Sequence, residues 1–314
     1  MRTALASAAL VATCLASPGL AQVKLELKHP ENNSTTHKTT VKVHQTLTIG
    51  GQDVVTDSEQ AVTSSESNGA RRPDGSLPSV RKIEGLKVQV DAMGQNVLSF
   101  DSANPAGKSD NPQLAVIQDT FKALVGASYT VVFDKAGKVV AVEGAEKALE
   151  KTDGLDAGAV AELKKAFAAE KLKKDAEQDA GRFPDILLRK GEPWERTETN
   201  NIGGGQTLTF KRQYEYLGTV EEEGKTLDKI GVKALSVVYS MDPDTPTPAK
   251  VTKSDLKVDS SEGTILFDRQ AGRPVKSESK VRMKGDMTLE INGMELPSKL
   301  DLTMEQETVL QPSK

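Results

Sequence analysis

Cysteine is all but missing from this 314-residue chain: Cys14 stands alone, inside an N-terminal stretch that reads as a cleaved export signal. Arg2 gives a positive start, Ala4 to Ala16 an apolar run, and Ser17 to Ala21 a small-residue ending, which predicts cleavage before Gln22. The mature chain then has no cysteine, which excludes disulfides, thiolate metal sites and cysteine nucleophiles together. Thr13 is not the small Gly or Ala that a lipidated cysteine takes before it, so anchoring through Cys14 is disfavoured. Aromatic residues are scarce (4%, one Trp), which weighs against a stacking surface for sugars or bases. Past the leader no apolar run approaches the roughly 18–20 residues that span a bilayer as a helix. Charge of one sign is lacking too: removing Arg2 leaves 40 basic against 45 acidic residues, a net of −5 with the signs interspersed. No basic face stands out for nucleic acid. The expected location is periplasmic or extracellular.

What the chain does have is a phrase said twice. Gly126 to Val140 contains an apolar run ending in Phe133, then Asp134 and Gly137; Gly263 to Val275 repeats this with Phe267, Asp268 and Gly272. Each predicts a β-hairpin, with an Asp that initiates the turn and a Gly free to take positive φ. A second echo joins Thr46 to Gln52 and Thr288 to Met294, each an alternating strand running into a two-residue turn, Gly50-Gly51 or Asn292-Gly293. These echoes suggest two related, mostly antiparallel halves.

Alternation supports strands throughout. Val41, Val43, Leu47 and Ile49 hold odd positions against Lys42, His44, Thr46 and Thr48, which describes a half-buried antiparallel strand; Leu208, Phe210, Tyr214 and Tyr216 do the same on even positions, and Val281, Met283, Met287, Leu289 and Ile291 on odd ones. Two helices interrupt. Asp110-Asn111-Pro112 caps a helix over 112–125 with Leu114, Ile117, Phe121 and Leu124 at helical spacing, and a second runs from 157 to 178 before fraying into Ala180-Gly181-Arg182. The fold class expected is mainly β with minor α: two related antiparallel β halves forming a curved sheet or half-barrel, with two packing helices. Its divisions are a signal peptide at 1–21, a first β-rich half with one helix at 22–155, a connecting helix at 156–182 and a second β-rich half at 183–314.

Residues able to do chemistry are few. His37 and His44 fall on opposite faces of one strand and cannot share a metal, so His29, His37 and His44 read as exposed polar positions. Ser-x-x-Lys at Ser79/Lys82, Ser254/Lys257 and Ser277/Lys280 lies on strand rather than at a helix start, where the spacing points the two side chains apart. Gly203 to Gly205 and Glu221 to Glu223 read as turns, and Asp242 with Asp244 offers at most a weak Ca²⁺ chelate. Trp194, just after Pro193, reads as an anchor packing at the sheet's edge, with ligand contact as the minority role. No catalytic residue, cofactor or metal site is expected.

Gly144 after the Phe133-Asp134 hairpin, Pro193-Trp194-Glu195, the strand Tyr214 to Thr219 and the hairpin Gly263 to Asp268 together resemble an uncharacterised family of exported bacterial proteins known as a domain of unknown function. The resemblance implies no catalytic residues. More loosely, a long antiparallel sheet with apolar-faced helices is similar to lipoprotein-carrier folds, in which a half-barrel shelters acyl chains. The leading expectation is therefore non-catalytic binding in the cell envelope, of a hydrophobic or lipid-like small molecule held against Leu114, Ile117, Phe121 and Leu124, with Trp194 nearby; the same four helix residues would equally close a dry core. The alternative is a structural or protein-interaction module that pairs an envelope protein along exposed strand edges. A carboxylate-based hydrolase comes third.

Overall fold

The computed structural model describes residues 22–104, 109–150, 152, 154–203, 205–242 and 249–312; the leader at 1–21 with Cys14, and Asp244, lie outside them. The chain is mainly β with minor α. Its strands are β1 (Ser34–Ile49), β2 (Gln52–Asn68), β3 (Leu77–Ala92), β4 (Gln95–Asp101), β5 (Ser128–Phe133), β6 (Val139–Glu143), β7 (Pro193–Gly203), β8 (Gln206–Glu222), β9 (Lys225–Met241), β10 (Ala249–Asp268), β11 (Arg273–Ile291) and β12 (Met294–Gln311). They form one antiparallel sheet in the order β6-β5-β3-β2-β1-β12-β11-β10-β9-β8-β7, with β4 pairing the second part of β3. The two terminal long strands meet at its centre, from Thr36↔Gln311 to Ile49↔Ser298. The ladder is thus continuous from one half of the chain into the other.

Tight turns set most registers. Both turn residues take positive φ at Gly50-Gly51 (58° and 83°) and at Asn292-Gly293 (51° and 77°), the mirror-image turn whose twist matches the flanking strands. The repeated phrase forms a hairpin turn at both places, one residue longer at the second, with an Asp side chain accepting from turn amides in each and a Gly at positive φ closing it. Asp134 Oδ1 accepts from the Ala136 and Lys138 amides, and Asp268 Oδ1 accepts from the Ala271 amide.

The sheet curls. β9 and β10 keep their ladder over Asp228–Gly231 against Thr264–Phe267. In ladder order β1 and β8 are five strands apart, about 24 Å on a flat sheet at ~4.8 Å per strand. Yet Leu47 of β1 and Leu208 of β8 line one cavity. β8 and β9 therefore lean over the face of β10–β12, and Leu208, Phe210, Ala234 and Val237 pack there on Val281, Met283 and Leu302. A separate core gathers Trp194, Tyr214, Tyr216, Ile230 and Phe267 with Val23 and Leu25 of the N-terminal segment, which bridges to Leu188.

The helices cover the first half. Helix α1 (Pro112–Leu124) starts as its cap predicts, with Asn111 Oδ1 accepting from the Gln113 amide. The second expected helix is two: α2 (Ala157–Ala166) and α3 (Ala169–Ala180). The break falls at Phe167, whose ring is buried with Leu163, Leu172 and Ala148 and meets Tyr129 edge-on at 6.5 Å; a straight helix would swing it off that core. α3 runs on to Ala180, with Gly181 as its cap. Ala176 is 1% exposed, so a small side chain rather than a large one seats the helix on Leu77, Val131 and Phe133.

Close approach makes one glycine indispensable. A Cβ on Gly285 of β11 would sit 1.9 Å from the Asp255 carbonyl oxygen on β10, a backbone atom that cannot swing aside. Gly285→Ala should cost about 2–3 kcal/mol through overpacking. Urea unfolding checks this, and an unchanged midpoint would contradict the close packing.

Candidate functional site

The inner face of β1 carries side chains at odd positions, so His37 and Thr39 lie on the same face as Val41, Val43 and Leu47. Two chambers open on this face, a polar one beside His37 and an apolar one beside Leu47.

The polar cavity, of about 420 Å³, lies between the sheet and the C-terminal end of α3. Its floor comprises His37 of β1, Glu66 of β2, Ser277 of β11 and Thr308 of β12. At its mouth both copies of the repeated hairpin meet the N-terminal segment. The Lys28 amide donates to the Gly272 carbonyl, Lys28 Nζ donates to the carbonyls of Arg269 and Gln270 at 3.3 and 3.2 Å, and the His29 ring stacks on Phe133 at 4.0 Å.

A line of alternating charge crosses the cavity and its roof. Arg212 Nε lies 3.5 Å from Glu198; Glu198 lies 3.8 Å from Arg182 Nε; Arg182 Nη2 donates to Asp179 at 3.2 Å; Asp179 lies 3.9 Å from Arg81; Arg81 Nε lies 3.8 Å from Glu66; Glu66 lies 3.9 Å from His29 Nδ1. Several links are too long for a direct hydrogen bond, and the Nε protons of Arg81, Arg182 and Arg212 have no acceptor among the described residues. The Tyr214 hydroxyl donates to Glu198, and burial together with that carboxylate pushes the phenol pKa up. The Asp179 side chain lines the cavity and is 54% accessible to water. The protein packed around the carboxylate partly desolvates it and raises its pKa against the pull of Arg182 and Arg81. Burial lowers both histidines: Glu66 opposes the shift at each, while Arg81 and Arg71 reinforce it at His29, and Arg273 and Arg81 at His37.

His29 and His37 are therefore not the exposed strand positions that the sequence suggests. His29 precedes the first long strand and is carried to the cavity by the N-terminal segment, and His37 has the parity of the apolar face. That parity was the available signal. His44, on the opposite face, pairs with Asp57 at 2.7 Å.

The apolar chamber, of about 270 Å³, takes walls from seven strands, including Leu47, Leu208, Val251, Met283 and Leu302. One polar atom stands out in it. The Tyr239 hydroxyl is buried without a hydrogen-bond partner among the described residues, and burial pushes its pKa up to about 12.

The residues expected to contact a ligand are placed elsewhere. Leu114 is half-buried and Ile117 is 38% exposed. Phe121 meets Phe100 at 5.5 Å, and with Leu124 it packs on Leu86 and Val88. Trp194 stacks on Tyr214 at 5.4 Å and donates from Nε1 to the Arg182 carbonyl at 3.0 Å. None of the five lines either chamber. Among the described residues no group of three or more His, Cys, Asp or Glu is placed to hold a metal, and Asp242 is 2.9 Å from Lys165. No helix there is long and apolar enough to cross a membrane.

Residues 81–272 match a family of unknown function, DUF6263. The chain belongs to this family. No curated protein matches it. Among solved structures it is similar to lipovitellin, described for its lipid–protein interactions, at 10% identity and a TM-score of 0.43. That likeness covers 91% of this chain, which spans 26% of the lipovitellin chain. An exported protein with a YmcC-like fold from Bacteroides fragilis is 8% identical, with 89% and 98% of the two chains covered and a TM-score of 0.21. An outer membrane channel from Pseudomonas putida F1 is 8% identical, with 94% and 99% covered and a TM-score of 0.22. At these identities and scores none of the three speaks to activity.

The two histidines generate a pH prediction. Because their pKa values lie below the ordinary 6.5, the unfolded chain binds more protons than the folded one as pH drops through and below that value. The stability they hold above 6.5 is lost on acidification. Asp179 works in the opposite sense, since its raised carboxyl lowers stability as pH climbs above 3.8. Between about pH 7 and about pH 5 the thermal midpoint should fall more steeply in the natural chain than in the His29→Asn/His37→Asn variant; equal slopes would sink the assignment.

Proposed function

We propose that this is a non-catalytic binding protein of the cell envelope, holding a small apolar molecule that carries at least one oxygen in the chamber under Tyr239. The observation that carries this reading is a solitary unpartnered hydroxyl in a wall otherwise rich in Leu and Met. A buried donor without an acceptor is costly, and a ligand oxygen would satisfy it. Size fits as well: a 150 Å³ apolar cavity accepts benzene, and this chamber is larger at about 270 Å³. In this reading residues 22–155 and 183–314 act as two lobes of one binder, linked by 156–182. The contact surface moves from the first helix to the curled sheet.

One observation weighs against the edge-pairing alternative. The amide side chain of Gln178 on α3 accepts from the Thr199 amide at 2.8 Å and donates to its carbonyl, covering the edge strand β7 at mid-length.

Native mass spectrometry with organic extraction, on protein taken from its own host, should reveal a reproducible apolar mass. Val251→Phe, which fills the chamber, should abolish it while leaving the thermal midpoint unchanged or raised. Tyr239→Phe should stabilise the empty protein by about 1 kcal/mol and weaken binding up to about tenfold. A clean apo mass from native material, or full uptake by Val251→Phe, would overturn the proposal.

A further inference from the structure

The polar cavity is not explained by an apolar ligand, and its charges do not balance. Along the alternating line Arg212, Arg182 and Arg81 offset Glu198, Asp179 and Glu66, three against three. Of the cations outside that line, Lys276 pairs with Glu278 and Lys28 is held by the carbonyls of Arg269 and Gln270, which leaves Arg273. It lines the cavity, its Nε is buried without an acceptor, and it has no ion pair or side-chain hydrogen bond among the described residues. The position is enforced rather than incidental. Gly272, at φ 66°, closes the second copy of the repeated hairpin; Lys28 ties to that turn, and Arg269 ties it from the other side to the buried Asp228 at 2.9 Å.

A partly buried guanidinium whose Nε meets no acceptor is unfavourable, and a planar fork of donors is matched best by a carboxylate. The rest of the lining selects further. Thr35, Thr39, Ser64, Ser277 and Thr308 bring hydroxyls to the same walls, able to serve as donor or acceptor. Multiply charged anions fit poorly, because Glu66 and Asp179 stand in the same cavity.

We propose that the cavity between α3 and the centre of the sheet is a second, independent binding site, for a small hydroxylated monocarboxylate of the sugar-acid class, with Arg273 holding the carboxylate. The two histidines, with Glu66, Arg71, Arg81 and Arg273 as their charged neighbours, face the same space and can donate to the bound anion when protonated. The assignment does not depend on the apolar chamber, so Val251→Phe should leave it intact.

Calorimetric titration of the mature protein with sodium glucuronate tests it, with glucose as the uncharged control, acetate as the one without hydroxyls and inorganic phosphate as the competing anion. Saturable binding of glucuronate is expected, with glucose and acetate far weaker. Arg273→Gln should cut affinity roughly ten- to hundredfold while the empty protein melts no lower, because it loses a charge that nothing pairs. Arg273→Lys keeps the charge without the fork; should Arg273→Gln fail to fold, a similar loss in Arg273→Lys supports the same conclusion. Absence of glucuronate binding, equal binding of glucose, tighter binding of phosphate, or affinity unchanged in both Arg273 variants would overturn the proposal.

Discussion

The pairing of β1 with β12 is the constraint on which the rest of the structure depends. It joins strands from opposite ends of the sequence from Thr36↔Gln311 to Ile49↔Ser298 and makes one face continuous from the first half into the second. Both chambers straddle that seam: Leu47 and Leu302 share the apolar one, His37 and Thr308 the polar one. Such a ladder has a high entropic cost, since a long loop closes before any contact forms. It is offset by the row Val41, Val43, Leu47, Leu300, Leu302 and Met304, which is buried only when the seam is made and β8 and β9 curl over it.

Curling also explains why one face holds two kinds of space. Where β8 crosses the sheet its inner side chains run from Leu208 and Phe210 through Arg212 to Tyr214 and Tyr216. Arg212 and Glu198 form a polar divider between the core around Met283 and the core around Trp194. Charges so placed lose solvation, a cost that neighbours of opposite sign offset along the alternation from Arg212 to Glu66. Tyr214 and Trp194 brace that line from below, the first through Glu198 and the second through the Arg182 carbonyl. The lone Trp is thus a support of the cavity roof, consistent with an anchor at the sheet's edge.

The repeated phrase gains a physical meaning from its placement. Its two turns lie far apart in sequence, yet they flank Lys28 and His29 at one cavity mouth. One contributes Phe133 as a stacking surface, the other Arg273 as a charge. The similarity of the turns is local backbone chemistry, an Asp accepting from amides and a Gly at positive φ; the side chains that flank each turn differ, and that difference gives each copy its part in the site.

Much of the fold was legible in the chain because its signals are local. Alternation at Val41 to Ile49 and at Leu208 to Tyr216, turns at Gly50-Gly51 and Asn292-Gly293, and the Asn111-Pro112 cap each act over a few residues, and each appears where expected. The helix break at Phe167 and the seating of α3 on Ala176 were not legible, since both depend on the space another element leaves. The chambers were hidden for the same reason. The sequence by itself determined strands, turns and the parity that turns His37 and Leu47 to one face. Only the tertiary structure decided that this face curls on itself, that Arg273 is left without a carboxylate and that Tyr239 is left without an acceptor, because pairing and burial are properties of neighbours brought together across the whole chain.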